Sequence, residues 1–321
     1  MDSALRRIRI AVSTGRLRGL PAEPGTPEIT LLGAGESYVA WRIGSGDQAQ
    51  VLRVPRRSPH EMPRSMMAEF ETLRRVPPEL GTSAIALETG TDNPLGIPYM
   101  VTTHVSGRAL RATDWNPRLA TALAHQIARL HEAFATSPAP SAVFVPSAGE
   151  QGEELLTWWG RHHPETLTDP RVTALLPAWR RELTRLAPAF EAVPIHPLIH
   201  GDVVVTNVIL GPDGVPRLID FEWSGPGDRA KDLALIGGRV IGGPWYLPMT
   251  PDDVAAFVTE YSRYSRHAGA IDPQQLLARR DAYELLDRMG NLLYCLSRPG
   301  EARYGMWADE IARNLTDRLA D

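Results

Sequence analysis

The sequence predicts an α+β protein with a small antiparallel-sheet N-terminal lobe, residues 1–105, and a large, mainly helical C-terminal lobe, residues 106–321. Three observations predict it. Residues 29–104 alternate short apolar stretches with glycine-bearing turns, the pattern of antiparallel strands. From residue 116 onward apolar residues recur at helical spacing, beginning with Leu119, Leu123, Ile127, Leu130 and Phe134. One polar hairpin, residues 198–222, interrupts the helical half and carries Asp202, Asn207 and Asp220.

The elements follow in order. Residues 2–14 predict a short helix and Gly19–Pro27 a linker, both within the first lobe. Residues 29–43 read as strand, turn and strand around Gly33-Ala34-Gly35, and 50–54 as a third strand. The third glycine of a Gly-x-Gly-x-x-Gly loop is absent, and Tyr38 stands in its place. A helix is expected over 62–76, with Met66, Phe70 and Leu73 in register, Glu69 and Glu71 as its acids, and Pro77-Pro78 as its stop. Strands around 85–88 and 99–104 complete the sheet, and the lobe boundary falls near 103–108. Helices are expected at 116–136, 150–162 and 171–190 before the hairpin, and at 228–240, 251–268, 273–297 and 302–320 after it. The hairpin itself reads as an apolar strand, a loop, and two apolar strands joined by the Gly211-Pro-Asp-Gly214 turn.

Composition narrows the class. With 43% hydrophobic and 22% charged residues, the chain can bury a sizeable core. No run approaches the roughly 20 apolar residues of a membrane span, and the apolar stretch after Arg6, Arg7 and Arg9 is too short for a secretory signal. A single cysteine, Cys295, cannot close an intrachain disulfide, so a reducing compartment, the cytoplasm, is expected. Lys231 is the only lysine, so phosphate contacts usually made by lysine fall to arginine, a planar fork rather than a point charge. The acidic excess lies in residues 106–321, which argues against nucleic acid as a partner and favours a cationic ligand.

His200-Gly-Asp202-x4-Asn207, then Ile219-Asp220-Phe221-Glu222, then Gly227-Asp228 running to Asp232-Leu-Ala234, resembles the aminoglycoside phosphotransferase family of the protein-kinase-like fold, whose relatives include choline, homoserine and fructosamine kinases. The likeness covers roughly residues 28–295. It implies a bilobal kinase-like architecture and a nucleotide-dependent O-phosphotransferase, in which positioning and electrostatics do most of the catalysis. It implies Asp202 as the base for the substrate hydroxyl, and Asn207 and Asp220 as oxygen ligands of Mg²⁺. Gly33, Gly35 and Ser37 would lie over the phosphates of ATP or GTP. Arg53 would replace the family's lysine, paired with Glu69, while backbone groups of Thr103 and Val105 would meet the purine.

Other residues carry smaller expectations. His200 braces the catalytic loop, His131 packs within its helix, Asp228 caps a helix, and Asp232 fixes the region of Asp220. Trp158, Trp159 and Trp223 pack in the core or form an aromatic wall. Glu222 and Trp223, with Glu284 and Asp287 from the late helices, are expected to recognise an amino group on a hydroxylated small molecule, an antibiotic or related natural product. A metabolic acceptor such as choline, homoserine or a sugar, and a nucleotide-binding pseudokinase, are the alternatives. A protein kinase is disfavoured because Asp220-Phe-Glu leads within a few residues to Asp228 and a helix, with no room for a long activation segment. The expected state is a monomer or homodimer.

Overall fold

The structure, a computed structural model, describes residues 2–20, 28–137, 144–265 and 272–320. Most of the expected linker, residues 21–27, lies outside them, as does the end of the helix expected to reach residue 268. Two compact units result: residues 1–108 with 209–224, and residues 109–208 with 225–321.

Unit 1 contains α1 (Asp2–Ser13), β1 (Ile29–Ala34), β2 (Tyr38–Ile43), β3 (Gln50–Pro55), α2 (Met66–Leu73), β4 (Ala84–Glu88) and β5 (Tyr99–Thr103). The strands form one antiparallel sheet in the order β1-β2-β3-β5-β4. Ile8 and Val12 of α1 join Trp41, Ile43, Leu52, Tyr99 and Val101 of the sheet in a single buried cluster. The entering chain is tied down where the Arg18 N–H donates to the Tyr99 hydroxyl at 2.9 Å. Helix α2 begins four residues later than its periodicity suggests. The reason is local: Ser65 caps it, its hydroxyl accepting from the Ala68 N–H at 3.2 Å.

After β6 (Arg108–Ala109) come α3 (Pro117–Phe134), α4 (Ala148–His162), α5 (Pro164–Leu167), α6 (Pro170–Leu186), β7 (His196–Ile199), β8 (Val208–Leu210) and β9 (Pro216–Leu218). Residues 209–224, which the sequence reading placed with the C-terminal lobe, group with unit 1. Long-range backbone bonds explain this: the Leu218 N–H donates to Leu80 O at 2.8 Å, and Leu218 O accepts from Thr82 N–H at 3.2 Å. Gly81 is needed at that approach, because a Cβ there would stand 2.0 Å from Leu218 O.

Unit 2 is completed by β10 (Gly225–Gly227), α7 (Arg229–Leu235), β11 (Gly237–Gly238), β12 (Leu247–Pro248), α8 (Pro251–Tyr264), α9 (Pro273–Leu296) and α10 (Ala302–Ala320). β7 pairs with β10 rather than continuing a larger sheet. Helix α7 stops five residues short of expectation, because Gly237 and Gly238 leave the helix to pair with Leu247 and Pro248. Helix α4 begins two residues early on a capping box formed by Ser147 and Glu150. The expected 171–190 helix closes as a 3-10 turn after Leu186, where Pro188 removes a donor. The buried α9 residues Leu285, Met289, Leu292 and Leu293 form the middle of this unit's core.

Trp179 of α6 is fully buried and donates its indole N–H to Leu285 O at 2.9 Å. Trp179→Ala should therefore cost about 3–5 kcal/mol of stability through the cavity left behind. Denaturant unfolding measures this; a loss below about 1 kcal/mol would contradict the packing role.

Candidate active site

In unit 1, a cation and three carboxylates gather at the ends of β3, α2 and β9. Arg53 is 7% exposed. Its Nη1 donates to the Glu69 carboxylate and its Nη2 to Asp220 Oδ1 at 2.6 Å. The ring of Tyr38 covers the guanidinium, with Cζ 4.1 Å from the ring centroid. Burial alone would lower the Arg53 pKa, but Glu69 and Asp220 outweigh it and move it upward. Asp220 has φ 66°, the one non-glycine in the left-handed region among the described residues, and sits at the mouth of a tight turn. Arg64 holds that turn's far end by donating to the Ser224 carbonyl and, at 3.1 Å, to its hydroxyl. The Asp220 carboxylate, 35% exposed on the side-chain scale, is the open member of the cluster.

Glu222 belongs to this cluster. Burial, and next the Asp220 charge, push its carboxyl up to about 7, while the nearby Ser37 hydroxyl opposes the shift. Its Oε2, Glu69 Oε2 and the Tyr38 and Ser37 hydroxyls are all buried, the Ser37 hydroxyl acting on Glu222 and the Tyr38 hydroxyl on Glu69. Ser37, expected over phosphates, has its side chain buried. The turn before it is closed by the Gly35 N–H donating to Tyr38 O at 2.9 Å. A Cβ at Gly33 would meet nothing within 4 Å, so that side of the turn is open.

Thr103 and Val105 line a cavity of about 330 Å³ with Pro78, Gly81, His104 and Arg217, a set that includes neither Arg53 nor the glycine turn. The Thr103 N–H is already given to Ser83 O at 2.9 Å, and its carbonyl accepts from the Thr82 hydroxyl at 3.0 Å.

In unit 2, the His200-Gly201-Asp202 turn is organised by Asp232, which is wholly buried. Asp232 Oδ2 accepts from the His200 N–H at 2.7 Å, and Oδ1 from the Gly201 N–H at 2.8 Å. Its Oδ2 also lies 3.0 Å from His131 Nε2, and His131 Nδ1 lies 2.7 Å from the Tyr261 hydroxyl. Burial alone would raise the Asp232 pKa; the His131 partner and the backbone donors outweigh it and hold it below the usual range. The expectation that Asp232 fixes the region of Asp220 is thereby corrected: both its oxygens are spent on the turn before Asp202. Gly201, at φ 81°, supplies the left-handed residue this turn requires. His200 Nδ1 accepts from the Asp202 N–H at 3.3 Å, a bracing contact.

Asn207 Nδ2 donates to Asp202 O at 3.0 Å and to Asp202 Oδ2 at 2.8 Å. That leaves Asn207 Oδ1 as the amide's other polar atom, an oxygen donor of the kind a hard divalent cation takes, and Asp220 offers the same chemistry. The Val205 N–H donates to Trp245 O at 2.8 Å. Trp245 in turn enters a closed ring of edge-on contacts with Tyr294, Tyr304 and Trp307, at centroid distances of 5.1–6.2 Å. The apolar patterning of α9 and α10 gave no sign of this ring.

Of the expected acceptor residues, Glu284 and Asp287 lie in unit 2 and Glu222 and Trp223 in unit 1. Glu284 is buried in unit 2, bonded to Arg280 and accepting from the Val240 N–H at 2.8 Å, so its carboxylate is already committed. Asp287 accepts from the Tyr246 hydroxyl at 2.7 Å and from Arg288 at 2.6 Å. Trp223 is 51% exposed; Trp159 is buried and Trp158 half exposed against it. Asp228 caps α7 as expected, accepting from the Ala230 N–H at 3.1 Å, and also binds Arg279 at 2.7 Å.

Residues 28–276 match the phosphotransferase enzyme family. The chain belongs to that family, and it is a kinase that acts on a hydroxyl acceptor. Among characterised relatives, viomycin phosphotransferase of Streptomyces vinaceus is 30% identical over 204 residues, spanning 56% of this chain and 67% of that protein. Solved structures with the same fold include choline kinase LicA from Streptococcus pneumoniae (TM-score 0.63, 15% identity, 99% of each chain). The GDP complex of aminoglycoside 2'-phosphotransferase-IIIa is similar too (TM-score 0.62, 18% identity, 100% of this chain and 99% of that one). No helix among the described residues is long and apolar enough to cross a membrane.

His196 of β7 packs against His131, with ring centroids 5.1 Å apart. Burial first, then His131, moves its imidazole down to about 4 from 6.5. The unfolded chain therefore takes up this proton at higher pH than the folded one, and stability is lost as pH falls from about 6.5 to about 4. The loss from this group should be on the order of 2–3 kcal/mol. His196→Gln should flatten that part of the Tm-versus-pH curve; an unchanged slope would contradict the assignment.

Proposed function

We propose that the chain transfers the terminal phosphoryl group of ATP or GTP to a hydroxyl of a small natural product, an antibiotic or a close relative of one. The observation that carries this reading is the Asp202 loop, whose backbone is pinned by a buried carboxylate and whose Asp202 side chain is held by Asn207. A base that must meet a hydroxyl in one orientation needs this kind of support. The 30% identity to viomycin phosphotransferase supports an antibiotic acceptor.

Asp202 orients the acceptor hydroxyl and takes its proton. Arg53 holds phosphate oxygens with the N–H groups its two carboxylate partners leave over, and the Gly33–Gly35 turn lies over the phosphates. Asn207 and Asp220 are the residues that would hold Mg²⁺ through oxygen, and that ion would supply positive charge against the phosphates. Glu222 acts on the nucleotide side with Arg53, and Glu284 serves the fold of unit 2. Residues 1–105 serve the nucleotide, and most of 106–321 serves the base and the acceptor.

A second reading, a metabolic acceptor bearing a quaternary ammonium group, draws on the fold shared with choline kinase LicA.

Mass spectrometry of a panel of peptide, aminoglycoside, macrolide and nucleoside antibiotics, with choline and sugars, incubated with either nucleotide and Mg²⁺, tests both readings. A phosphorylated antibiotic is expected; phosphorylated choline alone would favour the second reading. Asp202→Ala should lower kcat by roughly 10²–10⁴-fold with nucleotide KM little changed. Wild-type turnover in that variant would remove Asp202 from the mechanism.

A further inference from the structure

Two positions where this sequence departs from the kinase-like pattern touch each other. Tyr38 stands where a glycine-rich loop would place its third glycine, and Arg53 stands where the related kinases carry lysine. The Tyr38 ring lies flat enough over the guanidinium to put Cζ 4.1 Å from its centroid, and both residues are buried.

The contact answers a mechanical problem. A lysine ammonium is a compact point charge, whereas a guanidinium is a plane whose donors are useful only if the plane is held. Glu69 and Asp220 each take one N–H from Arg53, which fixes two edges of that plane but leaves it free to tilt. The aromatic face removes that freedom and adds a cation–π attraction in a buried setting. Each terminal nitrogen retains a second N–H for an anion. Tyr38 also reaches the turn before it, because its carbonyl accepts from the Gly35 N–H. One residue thus links the turn that covers phosphate to the cation that holds it. The contact with Arg53 is made by the ring, while the hydroxyl lies beside Glu69.

We propose that Tyr38 is a positioning residue for the nucleotide phosphates: its ring sets the plane of the Arg53 guanidinium and makes arginine competent at a lysine position. The proposal rests on the reading of Arg53 as a phosphate ligand. It predicts a coupling between the two residues that a merely structural tyrosine would not show.

The test is a double-mutant cycle on the full chain, reading ADP and GDP affinity by calorimetry with Mg²⁺, and KM for nucleotide and acceptor, in Tyr38→Phe, Tyr38→Leu, Arg53→Lys and the double variant. Tyr38→Phe should match wild type within about 2-fold, and Tyr38→Leu should weaken nucleotide binding about 10-fold with acceptor KM unchanged. In the Arg53→Lys background the same leucine substitution should cost no more than about 2-fold. Independent effects in the two backgrounds, or a rise confined to acceptor KM, would overturn the role of Tyr38 while leaving Arg53 in place. An Arg53→Gln variant, measured alongside, with unchanged nucleotide affinity, or a wild type that binds no nucleotide, would instead overturn the phosphate reading itself, and the Tyr38 role with it. Thermal melts check folding, and Tyr38→Met replaces leucine in the cycle if that variant does not fold.

Discussion

The carboxylate of Asp232 is taken wholly out of water, and the turn that carries Asp202 depends on how that cost is met. An isolated buried carboxylate would neutralise instead of remaining charged. Here two backbone N–H groups, from His200 and Gly201, and the imidazole of His131 converge on it and keep it ionised. The same bonds hold residues 200–201 in a conformation that only Gly201 permits at φ 81°. Asp202 then leaves the turn in a direction decided by backbone geometry, and its side chain meets Asn207. Stability and site geometry are consequences of one buried charge.

The cluster around Arg53 is built on the opposite logic. Three carboxylates share a single guanidinium, and burial first, then neighbouring carboxylate charge, raise the carboxyls of both Glu222 and Glu69. Asp220 keeps its exposure and its left-handed backbone, while Glu69 is sealed in beside Arg53 and Tyr38.

Family membership and most element positions were legible in the residues alone. Turn glycines, helix caps and 3.6-residue periodicity are local signals, and the order His200-Gly-Asp202, Asn207, Asp220 is specific enough to name a class of chemistry. Long-range bonds were not legible. Nothing in the sequence of residues 209–224 says that Leu218 bonds to Leu80 and Thr82 and so joins unit 1. Glu284 reads as an acceptor-binding acid from the acidic excess of the second half and the family resemblance, neither of which reports a partner; in the structure Arg280 and the Val240 N–H hold it.

By itself, then, the sequence determined the family, its class of chemistry and the order in which the motif residues come. The tertiary structure decided which of them are committed elsewhere: Asp232 to the Asp202 turn, Glu222 to the Arg53 cluster, Tyr38 to the face of a guanidinium. The physical reason is that a residue's type and spacing fix its chemistry and the direction it leaves the backbone. Its charge state and its partners are set by burial, and burial belongs to the packed chain.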